Sequence, residues 1–115
     1  MIVHILEKKD WEYAKKENIY NPKSLEIEGF IHCSKVDQIV GVSNLHYKNK
    51  KDMLMIVINE NLLINKVLYE DLYNEGKSFP HIYGTINIDS IIEVIDFPCN
   101  NEGFFELTES NYKYK

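Results

Sequence analysis

The sequence predicts an α+β fold built on a mixed or antiparallel sheet. Two helical patterns fall before Lys48, about six strand-like runs fall mostly after them, and the two kinds of element do not alternate as βαβ units require. The 115 residues are read as one domain, 1–115, and 44% hydrophobic with 27% charged residues is an ordinary globular balance that can bury a core without staples.

Ile2 to Leu6 reads as a first strand, with Ile2, His4 and Leu6 on one face. Asp10 is placed to cap a helix from Trp11 to about Asn18, which Asn21-Pro22 ends, and Asn18 to Glu28 then reads as a loop. Residues Phe30 to Ser34 form a second strand, whose alternation turns Phe30, His32 and Ser34 one way and Ile31 and Cys33 the other. Ser34 with Asp37 three residues on has the pattern of a capping box with Asp in place of Glu. Val36, Ile39, Val40, Ser43 and Tyr47 follow helical spacing to a helix end near Tyr47.

Lys48 to Asp52 is a solvated turn, and Met53 to Ile58 is a continuous apolar run of strand formers, placed as a central strand covered on both faces. Asn59 to Asn65 reads as a loop, Lys66 to Glu70 as a strand ending on an acid, and Asp71 to Ser78 as a polar connection. Phe79 to Gly84 is a short strand with His81 and Tyr83 on one face. Asn87 to Asp89 is a turn, Ile91 to Phe97 a strand stopped by Pro98, and Phe104 to Leu107 a last edge strand. The tail from Thr108 is expected to be mobile at its end.

Charge and composition exclude several function classes. A net charge of -5 argues against non-specific nucleic-acid binding, which needs a basic face to displace counterions. All thirteen Lys and Arg positions are lysine, so no guanidinium fork exists to grip a phosphate in two places. Cys33 and Cys99 show no metal-ligand spacing, no basic-then-apolar leader opens the chain, and no apolar run approaches a bilayer's thickness. A cytoplasmic protein with reduced thiols and no membrane insertion is expected.

The candidate chemistry lies in histidines. His4, His32 and His81 fall inside strand stretches, whereas His46 lies on the second helix and is expected to be exposed. If the strand faces coincide, His4, His32, His81, Tyr83 and Glu70 line one cleft that offers imidazoles, an acid and an aromatic wall to a small-molecule ligand. A helix starting at Ser34 would set free N–H groups and a positive dipole end beside His32, a setting that favours an anion and keeps the imidazole neutral. No close HxH or HxxxH spacing occurs, so no metal is assigned. Alternation turns Cys33 away from His32, which argues against a thiol nucleophile. The competing explanation is that these histidines are hydrogen-bonded strand residues and Ser34 only a cap, all serving the fold.

Together, Ile-Val-His-Ile from Ile2, Trp11, Gly-Phe-Ile-His-Cys-Ser from Gly29, Asn44 with Tyr47, Tyr69-Glu70 and Phe-Pro-His-Ile-Tyr-Gly from Phe79 resemble a small bacterial family catalogued as domain of unknown function 952. The resemblance covers residues 1 to about 98. That family is similar to the ADP-ribosyltransferase-like superfamily, which implies split, mostly antiparallel small sheets with NAD held between them. Within it, the RNA 2'-phosphotransferase group has a first-strand histidine and a His-x-His-x-Ser stretch before a helix. His4 matches the first, and His32 with Ser34 the end of the second. The resemblance implies that His4 bonds the nicotinamide-side ribose or carboxamide, and that His32, Ser34, His81 and Tyr83 complete the cofactor pocket. His4, His32 and Glu70 are then the catalytic candidates. The chain departs from the pattern in lacking the arginines of the phosphotransferases, and Glu70 is the only placed candidate for the late glutamate of the protein-modifying transferases. Two readings follow: an NAD-binding, transferase-like domain, and a non-catalytic module that binds a small metabolite or a partner in the same cleft.

Overall fold

The computed structural model describes residues 1–109, 113 and 114. Its organising element is β4 (Met53–Ile58), the central strand of a three-stranded antiparallel sheet between β1 (Ile2–Glu7) and β8 (Ile91–Asp96). Every residue of β4 is buried, as its unbroken apolar run requires. Leu54, Ile56 and Ile58 face one core with Trp11, Tyr20, Ile31 and Ile82, while Met53, Met55 and Val57 face a second with Ile39, Phe97 and Phe105. At about 1.5–3 kcal/mol for each fully buried large side chain, the strand contributes to both cores at once, and truncating Ile56 to alanine removes about 2–5 kcal/mol.

A second sheet has the order β3 (Ile31–His32), β6 (Phe79–Tyr83), β5 (Lys66–Glu70), and a two-stranded ribbon joins β2 (Ile19–Tyr20) to β7 (Ile86–Asn87). All pairs are antiparallel. Helix α1 (Lys8–Glu17) buries Trp11 and Ala14, α2 is Lys23–Glu28, and α3 (Ile39–His46) buries Ile39 and Ser43. The fold is therefore α+β with antiparallel sheets. None of the described helices is long and apolar enough to cross a membrane.

Several local expectations are corrected. Helix α1 starts directly after β1 at Lys8, and Asp10 lies in its first turn instead of capping it; the Lys8 amide, one of the donors left over at a helix start, is taken by the Asp52 carbonyl at 2.9 Å. Asn18 to Glu28 is not a loop. It holds β2 and α2, because Pro22 leads into a helix that Gly29 closes in the left-handed region at φ 85°, where its amide reaches back to Leu25 O at 2.8 Å. Ser34 caps no helix: its amide and carbonyl both pair with Val3 at 2.8 Å, and the next helical piece, a 3₁₀ turn over Val36–Gln38, uses the Gln38 side chain to accept the Lys35 amide at 3.0 Å. The 3₁₀ turns at Glu60–Leu62 and Ile88–Ser90 shape connections. Phe104 to Leu107 forms no strand; Phe105 is buried with its backbone bonded to the Asn44 side chain, so its polar groups are met without a neighbouring strand. The end of the tail, for which the sequence predicts mobility, lies partly outside the described residues.

Candidate functional site

The chain between Phe30 and Ser34 passes from one sheet to the other. Ile31 and His32 pair with Ile82 and His81 of the small sheet, the Cys33 amide still reaches Pro80 O at 3.0 Å, and Ser34 pairs with Val3 of the large one. Ile31 and Ile82 are fully buried, which sets their opposite face outward. Directly paired antiparallel residues share a face, so His32 meets His81 across the strands, with Tyr83 two residues further along β6. The two imidazole rings are edge-on at 5.2 Å between centroids.

Phe30 builds a wall beside these groups. Its ring stacks on His81 at 4.3 Å and 29°, meets His32 edge-on at 4.8 Å, and tilts against Tyr83 at 5.4 Å. His81 is thereby buried at 3% exposure, while Tyr83 keeps 38% and His32 is exposed.

Glu70, at the end of β5, draws two donors to one oxygen. The Tyr83 hydroxyl donates to Oε1 at 2.6 Å and His81 Nδ1–H donates to the same atom at 3.0 Å. The Tyr83 bond first, and the His81 bond second, hold the Glu70 carboxyl below the usual carboxylate range, and the same contact raises the Tyr83 phenol. Oε2 has no partner among the described residues. His32, in contact with both Phe30 and His81, donates from Nε2 to Glu28 at the end of α2. The face therefore carries two carboxylate–imidazole pairs whose imidazoles meet each other, with the Phe30 ring packed against both.

His4 belongs to the large sheet and touches the cluster from behind. Its Nδ1–H donates to the His32 carbonyl at 2.6 Å, and Nε2 accepts from the Tyr20 hydroxyl at 2.9 Å. Burial depresses this imidazole to about 4, against the raising effect of its bond to the His32 carbonyl, with His32 itself a further lowering influence. Ser34 is buried and tied through its backbone to Val3, beside His4. The helix N-terminus expected beside His32 is absent there, since helical structure begins only at Val36. Cys33 is sealed in the core, where burial pushes its thiol up. Among the described residues, no three His, Cys, Asp or Glu side chains are grouped so as to hold a metal ion.

His32, His81, Tyr83 and Glu70 thus come together, His4 joins through a backbone carbonyl, and Ser34 is buried and bridged to Val3 instead of joining them. Sequence reasoning missed Glu28 and Tyr20 as partners, while alternation puts Phe30 on the face of His32, where the structure has it. Glu28 could be found from its four-residue separation from His32 across the helix-ending Gly29, whereas nothing local in the sequence marks Tyr20, whose contact with His4 spans sixteen positions.

The family described as Protein of unknown function (DUF952) matches residues 5–94 of the chain. The fold is also that of protein CC0527 from Caulobacter crescentus. Its crystal structure superimposes with a TM-score of 0.86 at 20% identity over 96% of this chain and 97% of that one. Its solution NMR structure superimposes with a TM-score of 0.78 at 20% identity over 90% and 89%. No curated protein matches the sequence.

Proposed function

The chain belongs to the DUF952 family, and from that footing we propose that the face built from His32, His81, Tyr83 and Glu70 is a small-molecule site that takes NAD, in a single domain of ADP-ribosyltransferase-like architecture. The observation that carries this reading is the Glu70 carboxylate, ionised by two donors on Oε1 and holding Oε2 in reserve beside an aromatic wall. A reserved carboxylate oxygen suits a ribose hydroxyl, and the exposed Tyr83 ring beside Phe30 suits a flat heteroaromatic group.

The residues present fit such a ligand with one adjustment. With no arginine in the chain, its pyrophosphate falls to lysines. Lys66, opposite Tyr83 in the strand register, and Lys77, whose ammonium stands 5.9 Å from the Phe79 ring centroid, are the cations at the two ends of this face. When bound, NAD supplies a glycosidic bond to nicotinamide whose cleavage frees an ADP-ribosyl group. Glu70 then orients the ribose, and His32 stands beside it with Nδ1, without a partner among the described residues, to accept a proton. His4 supports this face through the His32 carbonyl, and Ser34 is bridged to Val3 next to it in the first strand.

A second reading, a non-catalytic module, is favoured by the missing arginines and by the engagement of Glu70 Oε1 within the protein. Incubation with NAD labelled in the nicotinamide and in the adenylate separates the two. Saturable binding with nicotinamide release, both lost in Glu70→Gln, supports the transferase-like reading. Binding without release supports the module, and no binding at all defeats both NAD-based readings.

A further inference from the structure

A hollow of about 290 Å³ is lined by Asp10, Tyr13 and Ala14 of α1, Ile19 and Tyr20 of β2, and the Asn21–Lys23 turn into α2. It contains none of the residues assigned above to the NAD face. Its walls are polar and apolar in about equal measure, and both phenols have their hydroxyls committed elsewhere: Tyr13 donates to Glu17 at 3.2 Å and Tyr20 to His4 at 2.9 Å. The charged groups are not committed. Among the described residues neither the Asp10 carboxylate nor the Lys23 ammonium makes a hydrogen bond or an ion pair, with each other or with any neighbour. Of the other charged side chains on and beside α1, Glu7 pairs with Lys9 and Lys50 and Glu12 with Lys15, while Lys16 makes no ion pair among the described residues.

We propose that this hollow is a binding site for a small zwitterion, an α-amino acid with an apolar side chain, whose ammonium meets Asp10 and whose carboxylate meets Lys23. An acid and a base that open onto one hollow without reaching each other match a ligand carrying both charges at fixed separation. A ligand with one charge leaves the other wall group unanswered. The volume stands at the lower end of small-molecule sites, which suits an amino acid and excludes a dinucleotide. Ala14, Ile19, Pro22 and the faces of Tyr13 and Tyr20 supply the apolar lining for its side chain. This inference is independent of the NAD reading, because the two sites share no ligand-contacting residue.

Three isosteric probes test it on the full chain by following backbone amide signals: L-leucine, isoamylamine, which lacks the carboxylate, and isocaproate, which lacks the ammonium. The expected result is a saturable shift of Asp10, Ala14, Tyr20 and Lys23 amides with L-leucine, at an affinity at least about tenfold above either single-charge analogue. Asp10→Asn erases the advantage of leucine over isocaproate, and Lys23→Gln erases its advantage over isoamylamine. Both variants change exposed side chains, and unchanged amide signals in β4 verify that each is folded. Equal response to the three probes, saturable shifts located elsewhere, or no saturable shift with leucine overturns the proposal.

Discussion

His4 Nδ1 lies 2.6 Å from the His32 carbonyl oxygen, and that contact decides the protonation of the whole imidazole. A carbonyl can only accept, so Nδ1 carries the hydrogen; a neutral ring has one N–H, so Nε2 is bare and accepts from Tyr20 at 2.9 Å. A second proton on Nε2 would force the Tyr20 hydroxyl to turn its hydrogen away and accept instead, and burial opposes it further.

The pH dependence follows with its sign. The folded-state pKa of His4 is about 4, below the ordinary 6.5, so the unfolded chain binds the proton more readily. This contribution to stability is fully present above about 6.5, is lost as the pH falls, and levels off below about 4. From that difference it amounts to about 3 kcal/mol at most. Urea unfolding of wild type and His4→Gln at pH 7 and pH 4 is the check. Wild type should lose more stability between the two than the variant, and parallel losses would remove His4 as the cause. Nitrogen chemical shifts should show the Nδ1-protonated tautomer at neutral pH.

Glu70 gives a second titration test. Its carboxyl is lowered first by the Tyr83 hydroxyl and then by His81, so Tyr83→Phe should move the Glu70 titration upward toward the ordinary value. The folded-state pKa is depressed, hence the contribution to stability is present above the unfolded value near 4.5 and disappears as pH falls through the folded one. Carboxyl carbon shifts followed through acid titration measure the change. An unmoved Glu70 would mean that His81 alone carries the shift.

The face that holds Glu70 was readable in parts. Lys66–Glu70 and Phe79–Tyr83 appear where alternation and the Pro80-containing run place them, and Met53–Ile58 is central because only a strand covered on both sides tolerates six apolar residues in succession. What local pattern could not show is pairing. Ser34 reads as a helix cap because Asp37 follows at capping distance, yet its backbone is held by a bridge to Val3, thirty-one positions away, and helical structure starts only at Val36, after Lys35. Asn18 to Glu28 reads as a loop because Ile19 and Tyr20 are too short a run to register as a strand until β7 is brought beside them. Phe104 to Leu107 has strand-forming residues but no strand to meet, and Asn44 substitutes for one.

Ser43 carries a stability prediction. Its side chain lies fully buried in α3 and, among the described residues, Oγ has no hydrogen-bond partner. An unsatisfied buried hydroxyl costs about 1–3 kcal/mol, and alanine is also the better helix former. Ser43→Ala should therefore raise stability by roughly 1 kcal/mol, since some of the penalty is relieved by local adjustment. Denaturant unfolding at constant m-value is the measurement. A loss of stability would show that Oγ has a partner in solution.

Asn44 should behave in the opposite way. Its side-chain Oδ1 accepts the Phe105 amide at 2.6 Å and its Nδ2 donates to the Phe105 carbonyl at 3.3 Å, the pair of bonds a strand neighbour would otherwise make. Phe105 in turn packs against Phe97 at 5.2 Å in the core that Met53, Met55 and Val57 close from the other side. Asn44→Ala leaves both Phe105 backbone groups without a partner at a buried residue, so the expected cost is about 1–3 kcal/mol. It should be local before it is global: the Phe105 amide should exchange with solvent far faster than the β4 amides, whose protection stays near that of global unfolding. Equal exchange at Phe105 in wild type and variant would show that Phe97 packing, not the Asn44 side chain, holds this segment against the core.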